Sequence, residues 1–187
     1  MHPASAASPS HAPAYDRMAV ALHWIVALAL VGQVLLGWYV HEIPRGTPAR
    51  GWWINLHKST GLLLGLLVLF RLGWRLRQGA PARVTGLPAW QRYAAGASHA
   101  LLYACMLALP LTGYLASNFS RHGIKFFNTA LLPPWGADDK AVYAALNGAH
   151  VALTWVLVAL VALHVLAALT HLVRRDGVFA RMVPAAG

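Results

Sequence analysis

Two histidines fourteen residues apart, His150 and His164, sit inside one apolar stretch near the C-terminus. At about 100° per helical residue they project from nearly one face, about 21 Å apart along the axis. That is too far for one metal ion. It suits two flat cofactors stacked along the helix, one toward each leaflet of a bilayer about 30 Å thick. His23 and His57 lie near the starts of two other apolar segments. Four buried imidazoles of this kind can ligate two haem irons.

The elements that must position these rings are membrane spans. The chain of 187 residues is 58% hydrophobic and 11% charged, with mean hydropathy +0.53. Its apolar residues gather into four runs of spanning length, from about Met18 to Val40, Ile54 to Leu76, Tyr93 to Ser117 and Ala144 to Val173. The expected fold is therefore all-α, an integral membrane four-helix bundle occupying residues 18–175. Residues 1–17 read as a disordered tail rich in Ala, Ser, Pro and His, and 176–187 as a C-terminal tail. The first apolar run is full length and lacks a cleavage site, so it reads as a retained span. Pro110 is expected to kink the third span. Small residues such as Gly32, Gly37, Gly61, Gly65 and Gly96 allow close approach of helices or of a cofactor.

Charge sets the expected orientation. Nine of the fifteen basic residues (Arg17, Arg71, Arg75, Arg77, Arg83, Arg92, Arg174, Arg175 and Arg181) fall on the side of the two termini. The positive-inside rule places that side, and both termini, in the cytoplasm. Trp52 and Trp53 then mark the outer headgroup belt, and Trp74 and Trp90 the inner one. The net charge of +10 is no nucleic-acid signal, because the basic residues are scattered through the connections with no Lys/Arg-rich block. A lone Cys105 excludes an internal disulfide and a cysteine metal cluster. Five acidic residues, none within a span, give hydrolytic chemistry no support.

Depth pairs the histidines. His23 and His164 lie toward the cytoplasmic side, His57 and His150 toward the outer side, and each pair joins two different helices. This is the geometry of bis-imidazole ligation in a helical bundle. Zinc or copper would need ligands converging within a few ångströms, against the separation of His150 and His164. His171, seven residues beyond His164, competes with it as ligand. Pairing His150 with His171 would separate the irons by about 31 Å, the whole membrane, so His164 is preferred. His99, at the inner start of span three, and His171 remain candidates for proton handling or quinone contact, or for interfacial packing.

These residues resemble the bacterial cytochrome b561 family. The resemblance rests on ALHWI around His23, NLHKSTG around His57, SHALLYACMLALPLTGYLAS across span three, GAHVALTWVLVALVALHVLAALTHL around His150 and His164, and a closing RDGVFARMVP. It covers nearly everything from Tyr15 to Pro184. It implies a four-helix cytochrome of the bacterial inner membrane carrying two haem b, with His23, His57, His150 and His164 as axial ligands, in exchange with ubiquinone and the quinone pool. One branch that the chain resembles oxidises superoxide at the outer face and passes the electron to ubiquinone. In that reading Lys58, Arg121 and Lys125 steer superoxide to the outer haem, and Arg71 and Arg75 pair with haem propionates. The alternative is an electron conduit, with another one-electron donor, serving as the haem b anchor of a hydrogenase or dehydrogenase complex or of a periplasmic partner. The loop RHGIKFFNTALLPPWGADDK is individual to this chain and is expected to set substrate choice.

Overall fold

The computed structural model describes residues 15–79 and 88–183. Four long helices dominate: α1 (Arg17–Glu42), α2 (Pro48–Gln78), α3 (Ala89–Asn118) and α4 (Lys140–Arg174). A short hairpin, β1 (Ile124–Phe126) with β2 (Ala130–Leu132), fills the α3–α4 connection, and a 3-10 turn spans Phe179–Met182. All four helices are long and apolar enough to cross a membrane. The expected spans are found, each extended by one to six residues per end. The starts of α1, α2 and α4 are set by side-chain caps rather than by hydropathy, whereas α3 begins after Pro88 without one. The carboxylate of Asp16 accepts from Ala19 N–H at 2.9 Å, Thr47 accepts from Arg50 N–H ahead of Pro48, and Asp139 accepts from Ala141 and Val142. Each oxygen satisfies amides that the first helical turn leaves without partners. Arg50 also reaches back to the carbonyls of Val40, His41 and Ile43, closing the end of α1. The expected N-terminal tail lies almost wholly outside the described residues, as does Arg83.

The lipid-facing surface is apolar: Leu28, Leu66, Leu163 and Val173 are 72%, 63%, 63% and 82% exposed. Val26, Val68, Leu102, Cys105, Met106, Leu109 and Leu157 form one cluster across all four helices at mid-height. α3 stays a single helix through Pro110. The proline ring lies where Gly65 of α2 leaves room, since a Cβ there would come within 3.0 Å of it. Packing is uneven around the bundle. α1 lies on α2, α2 on α3, and α3 most extensively on α4, whereas neither α1 nor α2 packs on α4 to a comparable extent.

The hairpin was not anticipated from the sequence. It is held along one face at the start of α2. Asn128 donates to the Trp52 carbonyl, Lys125 N–H to Asn55 Oδ1, Lys58 Nζ to the Gly123 carbonyl at 2.9 Å, and Phe127 N–H to Ser59 Oγ at 2.8 Å. At the other end, the chain after α4 folds back. His171 Nδ1 and an Asp176 oxygen lie 2.6 Å apart, and the Trp24 indole donates to the Met182 carbonyl at 2.7 Å. The segment placed in a tail is thus tied to α1 and α4.

Candidate functional site

The structure brings the histidines together in the pairs that depth implies. At the end where α2 begins, the rings of His57 (α2) and His150 (α4) have centres 6.2 Å apart. At the end where α1 begins, His23 (α1) and His164 (α4) are also 6.2 Å apart. Two imidazoles sharing one metal ion, with metal–nitrogen bonds of about 2 Å and ring centres about 1.1 Å behind the nitrogens, stand about 6 Å apart. Both pairs fit that geometry. Each also joins two helices that make few direct contacts with one another, α2 with α4 and α1 with α4. The buried Leu157 sits midway between the two histidines of α4.

Two glycines cradle the rings of the first pair. A Cβ at Gly37 of α1 would lie 3.0 Å from His57 Cε1, and one at Gly113 of α3 would lie 3.2 Å from His150 Cε1. The Nδ1 atoms are engaged. His150 Nδ1 donates to the Leu109 carbonyl at 3.0 Å and lies 3.3 Å from Thr112 Oγ1. His57 Nδ1 lies 3.2 Å from Gln33 Nε2. That amide also donates to the His57 carbonyl at 2.8 Å, while its oxygen accepts from Thr60. Arg71 donates to His23 Nδ1 at 2.9 Å. His150, whose Nδ1 proton goes to a carbonyl, keeps Nε2 bare for a metal, which is how proteins orient metal-bound imidazole; at His57 and His23 the donor facing Nδ1 would have to turn away for Nε2 to bind one. The donor set fits haem iron.

Other sequence candidates have mixed placements. His99 of α3 joins the second pair, its ring centre 5.4 Å from that of His164. His171 stands apart, engaged with Asp176. Arg71 and Arg75 both approach the face of Tyr103, at 5.5 and 5.9 Å. Lys58 is committed to the hairpin. Arg121 is paired with Asp138 at 2.6 Å, which raises its already high pKa through that hydrogen bond and charge. Lys125 is exposed on β1. Sequence reasoning missed Gln33, Thr112, Gly113 and Tyr103. Gln33 carried a usable signal, being a lone amide within an apolar span. The others lay in a quoted motif with nothing to single them out.

The family model for prokaryotic cytochrome b561 matches residues 14–185. Cytochrome b561 homolog 2 of Escherichia coli (strain K12) is 30% identical over 173 residues, covering 90% of both chains. Cytochrome b561 homolog 1 of the same organism is 30% identical over 179 residues, covering 91% of this chain and 97% of its own length. A Yersinia pestis protein named a probable superoxide oxidase, CybB, is 28% identical over 175 residues, covering 91% and 96%. The chain belongs to the prokaryotic cytochrome b561 family. It is a multi-pass bacterial membrane protein of haem b electron transfer.

Proposed function

We propose that the chain binds two haem b and transfers electrons from superoxide to ubiquinone across the bacterial inner membrane, with both termini in the cytoplasm. His57 with His150, and His23 with His164, would hold the two haems. The observation that carries this reading is the 6.2 Å separation of both ring pairs at opposite ends of one helix. When bound, the haems supply one-electron chemistry that no side chain of this protein offers. Two superoxide anions each give up one electron and leave as dioxygen. One quinone takes the two electrons, with two protons, and leaves as quinol.

The protein's residues fix geometry and charge. The Leu109 carbonyl orients the His150 ring, and Gln33 holds the backbone carbonyl of His57. Were His23 to hold haem iron through Nε2, its Nδ1 would carry the proton, and the Arg71 guanidinium would be free for an acceptor such as a propionate. Arg75 beside it serves the same role. Steering of a small anion falls to Lys58, one residue from His57, and to Lys125, because the Arg121 charge is balanced by Asp138. The Yersinia relative's name supports superoxide as donor.

The test is a pyridine haemochrome assay with protein quantitation on the detergent-purified chain, followed by superoxide and ubiquinone kinetics. Two haems per chain are expected, with one lost in His57→Ala together with superoxide reactivity. Superoxide reactivity surviving in His57→Ala would place electron entry elsewhere. Two haems inert to superoxide would favour a conduit serving a partner complex.

A further inference from the structure

The connection between α3 and α4 does not stand clear of the bundle. From Phe126 to Ala137 it carries no charged side chain. β2 is exposed along its whole length. Leu131 and Leu132 are 61% and 43% exposed, and Trp135 just beyond them is 61% exposed. How deep these residues lie follows from their partners. The hairpin is bonded to α2 at Trp52, Asn55, Lys58 and Ser59. Ser59 lies seven residues, about 10 Å, further along the helix than Trp52 of the headgroup belt. The headgroup layer is about 5–7 Å deep on each side of a bilayer. Ser59 therefore sits at acyl-chain depth, and Phe127 N–H meets its Oγ there at 2.8 Å. On α3, the Trp135 indole donates to Tyr114 Oη at 3.2 Å, one residue from Gly113, which faces His150. The connection thus lies beside the His57–His150 pair, at its own depth.

We propose that this connection is re-entrant: the β1–β2 hairpin and Trp135 lie within the leaflet at that end of the bundle, with Leu131, Leu132 and the Trp135 ring against lipid acyl chains. Irregular backbone persists at membrane depth only where protein supplies its hydrogen-bond partners. α2 supplies them here. Asn55 Oδ1 accepts from Lys125 N–H, Ser59 Oγ accepts from Phe127 N–H, and Lys58 donates to the Gly123 carbonyl. Within the turn, Asn128 N–H and Thr129 N–H donate to the carbonyls of Lys125 and Phe126. Pro133 and Pro134 follow β2 and have no amide proton to satisfy. Loop amides in water need no such partners, and polar side chains within a span are costly. Asn55 and the fully buried Ser59 thereby gain a reason to be there. The exposed face is continuous with Trp52, which is half exposed and accepts from Asn128 through its carbonyl. Lys125, the one charge on the hairpin, has a stem long enough to carry its ammonium to the headgroups. The proposal needs only the membrane character of the chain and is independent of the electron donor.

The experiment uses the full, unaltered chain in phosphatidylcholine nanodiscs doped with a phosphatidylcholine that bears a diazirine on its acyl chain. Photolysis inserts the lipid into the residues beside it, and peptide mass spectrometry locates the adducts. A parallel sample is exposed to hydroxyl radicals generated in the water. Lipid adducts on Leu131, Leu132 and Trp135 should match those on Leu66, which is 63% exposed on α2. They should exceed several-fold those on Arg45 of the α1–α2 connection. Oxidation of Trp135 should stay at the level of Trp155, which is 59% exposed within the α4 span. A Trp135 without lipid adducts and oxidised several-fold above Trp155 lies in water, and that result overturns the proposal. Leu131, Leu132 and Trp135 free of both marks are covered by protein, a partner or a second copy of the chain, and that result overturns it too.

Discussion

Substituting Gly37 tests the outer histidine pair without touching a histidine. An added Cβ would sit 3.0 Å from His57 Cε1 and 3.5 Å from Nδ1. Carbon atoms in contact prefer about 3.5–4.0 Å, so the ring must retreat by about half an ångström or more. Metal–ligand distances tolerate about 0.2 Å. The ring is also held from the Gln33 side, and Gln33 is confined in turn: a Cβ at Gly61 would lie 2.8 Å from its Nε2. Gly37→Ala should therefore lower haem content from two per chain toward one. Gly113→Ala, with its closest approach of 3.2 Å to His150, should do the same less completely. Gly32→Ala is the control, because nothing lies within 4 Å of its added carbon. Loss of haem could not be blamed on the helix, since Ala is favoured over Gly in a helix by about 1 kcal/mol. The assay is the haem-to-protein ratio with the reduced-minus-oxidised spectrum. Full haem content and an unshifted spectrum in Gly37→Ala would refute the placement of a cofactor against His57.

Gln33→Leu removes the amide beside His57 Nδ1 and should alter the low-temperature EPR signal of one haem only. Signals identical to the parent would deny Gln33 an orienting role. Lys58→Met breaks the bond to the Gly123 carbonyl, so limited proteolysis should cut the α3–α4 connection faster and the superoxide rate should fall. An unchanged cleavage pattern would show the other three ties to α2 to be sufficient. Partial burial pushes the Asp176 carboxyl up, but hydrogen bonds from His171 and Val178 N–H outweigh it and hold the carboxyl below the ordinary 3.8. A depressed folded pKa stabilises above the unfolded value and is lost as pH falls through the folded one. The C-terminal fold-back should thus hold at neutral pH and loosen below pH 3.8, read as hydrogen exchange of Val178. Exchange independent of pH there, after correction for intrinsic rates, would count against the Asp176 tie.

The four spans and the two histidine pairs were legible because each follows from one-dimensional periodicity. Apolar runs of spanning length have few alternatives, and residues fourteen apart share a helix face whatever surrounds them. What stayed hidden depends on neighbours in space. The β1–β2 hairpin is three residues per strand, too short for an alternating pattern, and is held by α2 side chains at positions 55, 58 and 59. Gly113 looks like any small residue until α3 lies on α4 and His150 meets it. Arg121 reads as a free cation until the chain turns back and sets Asp138 beside it.

His99 gives the sharpest remaining test of how the second cofactor is held. Its ring is nearer to His164 than that of His23, 5.4 against 6.2 Å, so proximity alone would pair His99 with His164. Three considerations favour His23. The shorter separation is below the roughly 6 Å that two imidazoles on one metal require. His99 and His164 lie on α3 and α4, the most extensively packed helices of the bundle, where a macrocycle would have to force the pair apart. The pairing of α1 with α4 also matches the pairing of α2 with α4 at the other end, each across loosely packed helices. His99→Ala should therefore keep two haems per chain, and His23→Ala should keep one. The reverse result would move the ligand to α3, and with it the account of Arg71, which contacts His23. Because His150 and His164 share α4, a double substitution His57→Ala with His23→Ala should leave no six-coordinate haem. Retention of one low-spin haem in that variant would show that His99 can serve in place of His23.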